Sequence, residues 1–295
     1  MDFFVDQEIA SQPDCWRRAA TLRHQWADQL VADGERVAFV GCGTSWFMAQ
    51  ILASWREDRG YGESDAFSAS EVPARRYDRV VAITRSGTTT EVVDLLQKLK
   101  GEVPTVVLLG TQDTPAAEAA DSVVDLSFAD EHSVVQTRFA TSVLTLYRGA
   151  YGENIEVLAN AAEAAVAEPL TPAWAAAEQV TFLGRGWTIG LAHEAALKYR
   201  ETSSSWAESY PAMDYRHGPI SVAAPGRLVW MFGTPPAGLR DEVEATGATF
   251  VHTDRDPVVD LVVAQRTAVA RARLLGVNPD QPRHLTRSIV LTGTT

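Results

Sequence analysis

Cysteine is scarce: Cys15 and Cys42 are the only two. That is too few for a disulfide framework and suits a reducing compartment, so a cytoplasmic protein is expected. No run of about 18 apolar residues occurs, so no membrane-spanning helix is expected. The opening residues, Met1-Asp2-Phe3-Phe4-Val5-Asp6, lack the basic start and small-residue cleavage site of a signal peptide. Lysine is nearly missing as well. Lys98, Lys100 and Lys198 are the only three, and arginine supplies the other 23 of the 26 basic side chains. Few amines are therefore able to form an imine with a sugar. The formal net charge of −12 argues against a nucleic-acid backbone as partner. It leaves room for a small phosphorylated ligand, because backbone amides and hydroxyls hold phosphate locally.

What is present is an ordinary globular balance, 46% apolar and 22% charged over 295 residues, enough for about two domains. Helical spacing runs over about 14–33. Apolar runs at 36–40, 79–83, 103–109 and 122–126 read as buried strands, with helices after the first two, and longer helices are expected over about 133–149 and 154–167. Glu168-Pro169-Leu170-Thr171-Pro172 reads as a linker. The layout then begins again, with strands at 180–183, 228–232 and 249–252, a helix through about Thr202, and a last helix from Pro257 to Leu275 stopped by Gly276. Short buried strands alternating with helices predict the α/β class, with parallel sheets covered on both faces. Two similar domains are expected, 1–168 and 169–295, each with a strand–Gly-x-Gly–helix unit, at Gly41 and at Gly184.

Two glycine turns carry the first chemistry. Gly41-Cys42-Gly43-Thr44-Ser45 joins a strand to a helix, so free amides and partial positive charge point outward from it. Trp46 stands where a dinucleotide fingerprint needs glycine, and the Gly-Lys-Ser/Thr ending of a nucleotide loop is missing. Thr84-Arg85-Ser86-Gly87-Thr88-Thr89-Thr90-Glu91 packs five hydroxyls beside a glycine at the C-terminal end of a strand, the end at which open α/β sheets bind ligands. A Thr88–Glu91 capping box accounts for one of those hydroxyls; a phosphate cradle accounts for the set. In the second half, Glu194, Lys198 and Glu201 share one helix face. Spacing alone fits an exposed salt-bridged face. His217, ahead of Gly218-Pro219, lies on a loop, where an imidazole can exchange protons with a sugar oxygen. The six histidines (24, 132, 193, 217, 252 and 284) show no ligand-type pairing, so no metal is expected.

With these pieces in order, the chain resembles the double sugar-isomerase-domain (SIS) family, which includes the isomerase half of glucosamine-6-phosphate synthase. The resemblance runs through Glu8-Ile9, Gln12-Pro13, Gly41-Cys-Gly-Thr-Ser45, Arg85-Ser-Gly-Thr-Thr89, Phe182-Leu-Gly-Arg-Gly186, Glu194-Ala-Ala-Leu-Lys198, Glu201, Ala207-Glu208, Tyr210, His217-Gly-Pro219 and Asp280-Gln-Pro-Arg283. It implies two SIS domains and a phosphosugar substrate. Phosphate would be held by residues at Thr44, Ser45, Thr84, Ser86 and Thr89, with Gly43, Arg85 and Gln136 as further substrate contacts, and Gln136 stands where the family has serine, so the sugar contacts would differ. Glu201 would move the proton between C1 and C2 beside Lys198. His217 would help open the ring of a sugar bound to the neighbouring subunit, which implies a homodimer. No cofactor is implied. Two departures narrow the activity. No glutaminase domain is expected ahead of the SIS part, and Arg287 replaces the synthase's imine-forming lysine, which a guanidinium cannot imitate. An aldose–ketose isomerase or amino sugar phosphate deaminase is therefore expected. The alternative is a non-catalytic SIS protein that senses a sugar phosphate, and retention of Glu201 and His217 favours the enzyme.

Overall fold

The computed structural model describes residues 3–291. The elements run α1 (Phe4–Ala10), α2 (Gln12–Leu22), α3 (Ala27–Leu30), β1 (Val37–Gly41), α4 (Thr44–Asp58), β2 (Ser64–Ser68), β3 (Arg79–Thr84), α5 (Thr90–Leu99), β4 (Thr105–Leu109), α6 (Pro115–Ala119), β5 (Ser122–Asp125), α7 (Arg138–Ala150) and α8 (Ile155–Ala167). They continue with α9 (Pro172–Ala176), β6 (Gln179–Gly184), α10 (Thr188–Ser203), β7 (Trp206–Pro211), β8 (Leu228–Met231), α11 (Leu239–Glu244), β9 (Thr249–His252) and α12 (Pro257–Leu275).

All strand pairs are parallel. The first sheet has the order β2-β1-β3-β4-β5 and the second β7-β6-β8-β9, the same pattern shortened by one strand. The α/β class read from the sequence is thus the observed one. The central strands β1, β4, β6 and β8 are buried along their whole length, which is why they read as unbroken apolar runs.

Four expectations are corrected. The helix over 14–33 breaks at 23–26, where the amides of Gln25 and Trp26 both donate to the Leu22 carbonyl. The helix over 133–149 starts only at Arg138, because the buried Glu131 carboxylate accepts from the Thr137 and Arg138 amides and from the Thr137 hydroxyl. It thereby ends the preceding loop and caps the helix. The proline-rich linker is partly helical, as α9. β2 and β7 were not anticipated.

The two halves share one interior. A single apolar core runs from Val5 and Trp16 through Phe39, Ile51 and Leu144 to Phe182, Tyr199 and Val263, so it crosses the boundary expected at 168. α4 lies against α10 at Gly190. A Cβ there would sit 2.5 Å from Ile51 Cγ1 and 3.0 Å from the Phe47 carbonyl oxygen. Glycine in mid-helix costs about 1 kcal/mol relative to alanine. Here it lets two helix backbones approach, and that approach joins the first half's glycine turn to α10.

Candidate functional site

The first turn leaves β1 at Gly41, and Gly43 is the exposed residue preceding α4. The amides of Gly43 and Thr44 donate to no group among the described residues. Thr44 and Ser45 are buried. β1 pairs with β3, so the second turn lies about one strand spacing, roughly 5 Å, to the side. There the Thr84 hydroxyl accepts from the Gly87 amide (3.3 Å) and the Ser86 hydroxyl from the Thr88 amide (3.3 Å). The Thr88–Glu91 capping box is not formed. Thr89 precedes α5, and its side chain makes no cap bond. Instead the hydroxyls of Ser86 (3.1 Å), Thr88 (2.9 Å) and Thr89 (3.4 Å) converge on one oxygen, Ser288 Oγ of the C-terminal segment. That segment is fastened alongside, since Thr90 N–H donates to the Ile289 carbonyl and Leu291 N–H to Thr90 Oγ1. Three hydroxyls gathered on a single oxygen at a helix start form a group suited to an anionic oxygen.

The second component lies on α10. Lys198 is buried, and its ammonium donates to Thr44 Oγ1 (2.9 Å) and Glu201 Oε2 (2.5 Å), with Glu194 Oε1 at 3.5 Å. The Thr44 hydroxyl donates in turn to Glu194 Oε1 (3.4 Å). The Glu194–Lys198–Glu201 face is thus not a solvated one. The Glu194 side chain is 0% exposed, Lys198 2% and Glu201 19%. Burial works against the lysine's charge, but the carboxylates of Glu194 and Glu201 outweigh it and hold the ammonium above the ordinary lysine value. Burial also pushes the Glu194 carboxyl up to about 8, against the pull of Lys198. The innermost acid is thus harder to ionise than an ordinary carboxyl, and Glu201 is the one member of the trio that reaches solvent.

The remaining anticipated residues lie apart from these two clusters or beside them. Arg85 is 1% exposed, and its guanidinium donates to the carbonyls of Ser133 (2.9 Å) and Arg287 (3.2 Å), with Glu131 at 3.7 Å. It braces the loop 131–137 and the C-terminal segment. That loop carries Gln136, whose buried Oε1 has no partner among the described residues. Arg287 pairs with Asp130 and donates to the Glu131 carbonyl. His217 is exposed after β7, and no hydrogen bond of its imidazole joins it to the Lys198 cluster. Thr88, Glu131, Glu194 and Ser288 were not singled out as site residues. For Glu194 the i, i+4 spacing to Lys198 was a usable signal. For Ser288, in an aperiodic segment, there was none. Among the described residues no three His, Cys, Asp or Glu side chains gather as metal ligands would.

Residues 30–149, which hold both turns and Gln136 but not α10, match the family described as SIS domain. One such domain is matched, so the second of the two expected is represented by its sheet order alone. Over 98% of its length the chain is 25% identical to glutamine–fructose-6-phosphate aminotransferase (isomerizing) from Xanthomonas campestris pv. campestris, and it spans only 59% of that relative. Two solved structures share the fold. Glucosamine-6-phosphate deaminase from Thermotoga maritima superposes with a TM-score of 0.82 at 24% identity, over 97% of this chain and 99% of its own. Tagatose-6-phosphate ketose/aldose isomerase from Escherichia coli gives 0.77 at 17% identity, over 99% and 98%.

Proposed function

We propose that this chain is a sugar-phosphate isomerase of the aldose–ketose or amino sugar phosphate deaminase kind, working through an enediolate in the cytoplasm. The observation that carries the reading is Lys198: a buried ammonium that bridges the Thr44 hydroxyl beside the phosphate-type turn to a partly exposed carboxylate, Glu201. In this reading the free amides of Gly43 and Thr44 and the hydroxyls of Ser45, Thr84, Ser86 and Thr89 hold the phosphate, and Gln136 contacts the sugar. His217 assists ring opening in the neighbouring subunit of a homodimer. Glu201 takes a proton from C2 of the open-chain aldose and returns it to C1 while the hydroxyl proton on O2 passes to O1, so no cofactor, oxidant or reductant is consumed. The oxygen charge that builds on the enediolate faces the Lys198 ammonium. Where C2 bears an amine, the same transfer leaves an imine at C2, which water hydrolyses to the ketose with release of ammonia. The names of the relatives above agree with this substrate class.

The test is Glu201→Gln, which keeps the shape and removes the base. Turnover on a panel of hexose and hexosamine 6-phosphates should fall about 10²–10⁴-fold, with substrate affinity little changed. Solvent deuterium should enter the carbon-bound position in the parent only. Deuterium exchange at the parental rate in the variant would rule Glu201 out as the base. Binding without turnover in the parent itself would point to a sensor.

A further inference from the structure

The second sheet repeats the geometry of the first at the place where the first carries its hydroxyl turns. In the first sheet the chain leaves β1 for one flank and β3 continues on the other. In the second, β6 and β8 divide in the same way. Open α/β sheets bind ligands at such a division, at the C-terminal ends of the strands. A cleft of about 460 Å³ opens there, within the size range of small-molecule sites. The turn that floors it is built like its counterpart. A Cβ on Gly184 would lie 2.3 Å from the Thr188 carbonyl oxygen, as one on Gly41 would lie 2.6 Å from the Ser45 carbonyl carbon. The Gly186 and Trp187 amides donate to no group among the described residues, matching the free amides of Gly43 and Thr44.

The side chains differ from those of the first site, and the difference specifies a ligand. Arg185 lines the cleft, is exposed, and its guanidinium has no ion-pair or hydrogen-bond partner among the described residues. Arg255, also in the lining, is paired with Glu168. The His252 imidazole at the end of β9 makes no hydrogen bond among the described residues. Asp256, which caps α12, is neutralised by both outer nitrogens of Arg148. One lining carboxylate remains, Asp254 on the exposed rim, and outside the lining the Asp58 carboxylate stands beside the turn, its Oδ2 3.3 Å from where a Gly186 Cβ would lie. An unpaired guanidinium beside two free amides recognises a phosphate. A rim carboxylate that only accepts recognises hydroxyl groups and opposes bare inorganic phosphate. We infer that this cleft is a second site, separate from the first, for a phosphate monoester on a hydroxylated body, a sugar phosphate or a nucleoside monophosphate.

The test uses the full chain with the first site weakened by Ser86→Ala and Thr89→Ala together. Glucose 6-phosphate, AMP and inorganic phosphate are titrated into it by calorimetry. At least one of the two esters should bind with one equivalent per chain and more tightly than inorganic phosphate, and which one does so distinguishes a sugar from a nucleoside. Adding Arg185→Ala should weaken that binding at least tenfold. Adding Asp254→Ala should weaken the ester and not inorganic phosphate. Both residues are exposed, and circular dichroism checks that the variants keep their fold. The inference is overturned if neither ester binds in the weakened background. It is equally overturned if Arg185→Ala changes nothing, or if inorganic phosphate binds as well as the esters.

Discussion

A carboxyl whose pKa is raised by burial makes the protein's stability depend on pH in a defined direction. Glu194 keeps its proton in the native state up to about pH 8, whereas the unfolded chain releases it near the ordinary value of 4.5. A native pKa above the unfolded one means that the associated stability is full below about 4.5 and is lost as pH rises toward 8. The slope for one such group is about 1.4 kcal/mol per pH unit. Glu194→Gln, which keeps the neutral shape, should flatten this fall. Urea unfolding of parent and variant at several pH values between 5 and 8 measures it, and parallel curves would mean that Glu194 is already ionised in the native state. The same burial sets this acid 3.5 Å from the Lys198 ammonium. Sequence spacing alone did not reveal this, since i, i+4 and i, i+3 contacts read the same on a wet face and in a buried joint.

Between elements, the decisive contact is α4 on α10. Gly190→Ala sets two effects against each other: better helix propensity, worth about 1 kcal/mol, and a collision with Ile51 and the Phe47 carbonyl, costing about 1–3 kcal/mol. The collision involves backbone, so it should win. The variant should unfold earlier, and turnover should fall as Thr44 and Lys198 separate. An increase in melting temperature would show that the helices part freely. Most elements were legible beforehand because their burial is one-sided or complete, as for β1, β4, β6, β8 and α12. β2 and β7 were not, and both are edge strands. Ser64-Asp-Ala-Phe-Ser68 is nowhere fully buried, and Trp206 on β7 is 65% exposed. The edge strands β5 and β9 keep short β-branched or apolar runs and were read, whereas polar residues interrupt β2 and β7 and leave little hydrophobic pattern. The two turns were legible for the opposite reason, that glycine and hydroxyl clusters are costly anywhere else. Residues 133–137 were misread as helix because their alternative partner, the Glu131 carboxylate, is a single side chain with no periodic signature.

At the scale of the molecule, a shared core joins the two halves, while the proposed reaction asks for more than one chain. His217 is exposed and shares no hydrogen bond with Lys198 or Glu201, as expected of a residue serving a neighbouring copy. Mixing the inactive Glu201→Gln and His217→Ala proteins should therefore restore part of the activity in hybrid sites. A fully active monomer by light scattering would contradict that arrangement. The C-terminal segment has a consequence of its own. It is fastened at both ends: Asp280 accepts from the Phe4 and Val5 amides at the start of α1 (2.7 and 2.9 Å), and Ser288 lies eight residues further on among the hydroxyls of Ser86, Thr88 and Thr89. A phosphate entering that cradle, as proposed, meets a resident competitor tethered by a short chain. Its local concentration is on the order of millimolar and independent of how dilute the protein is.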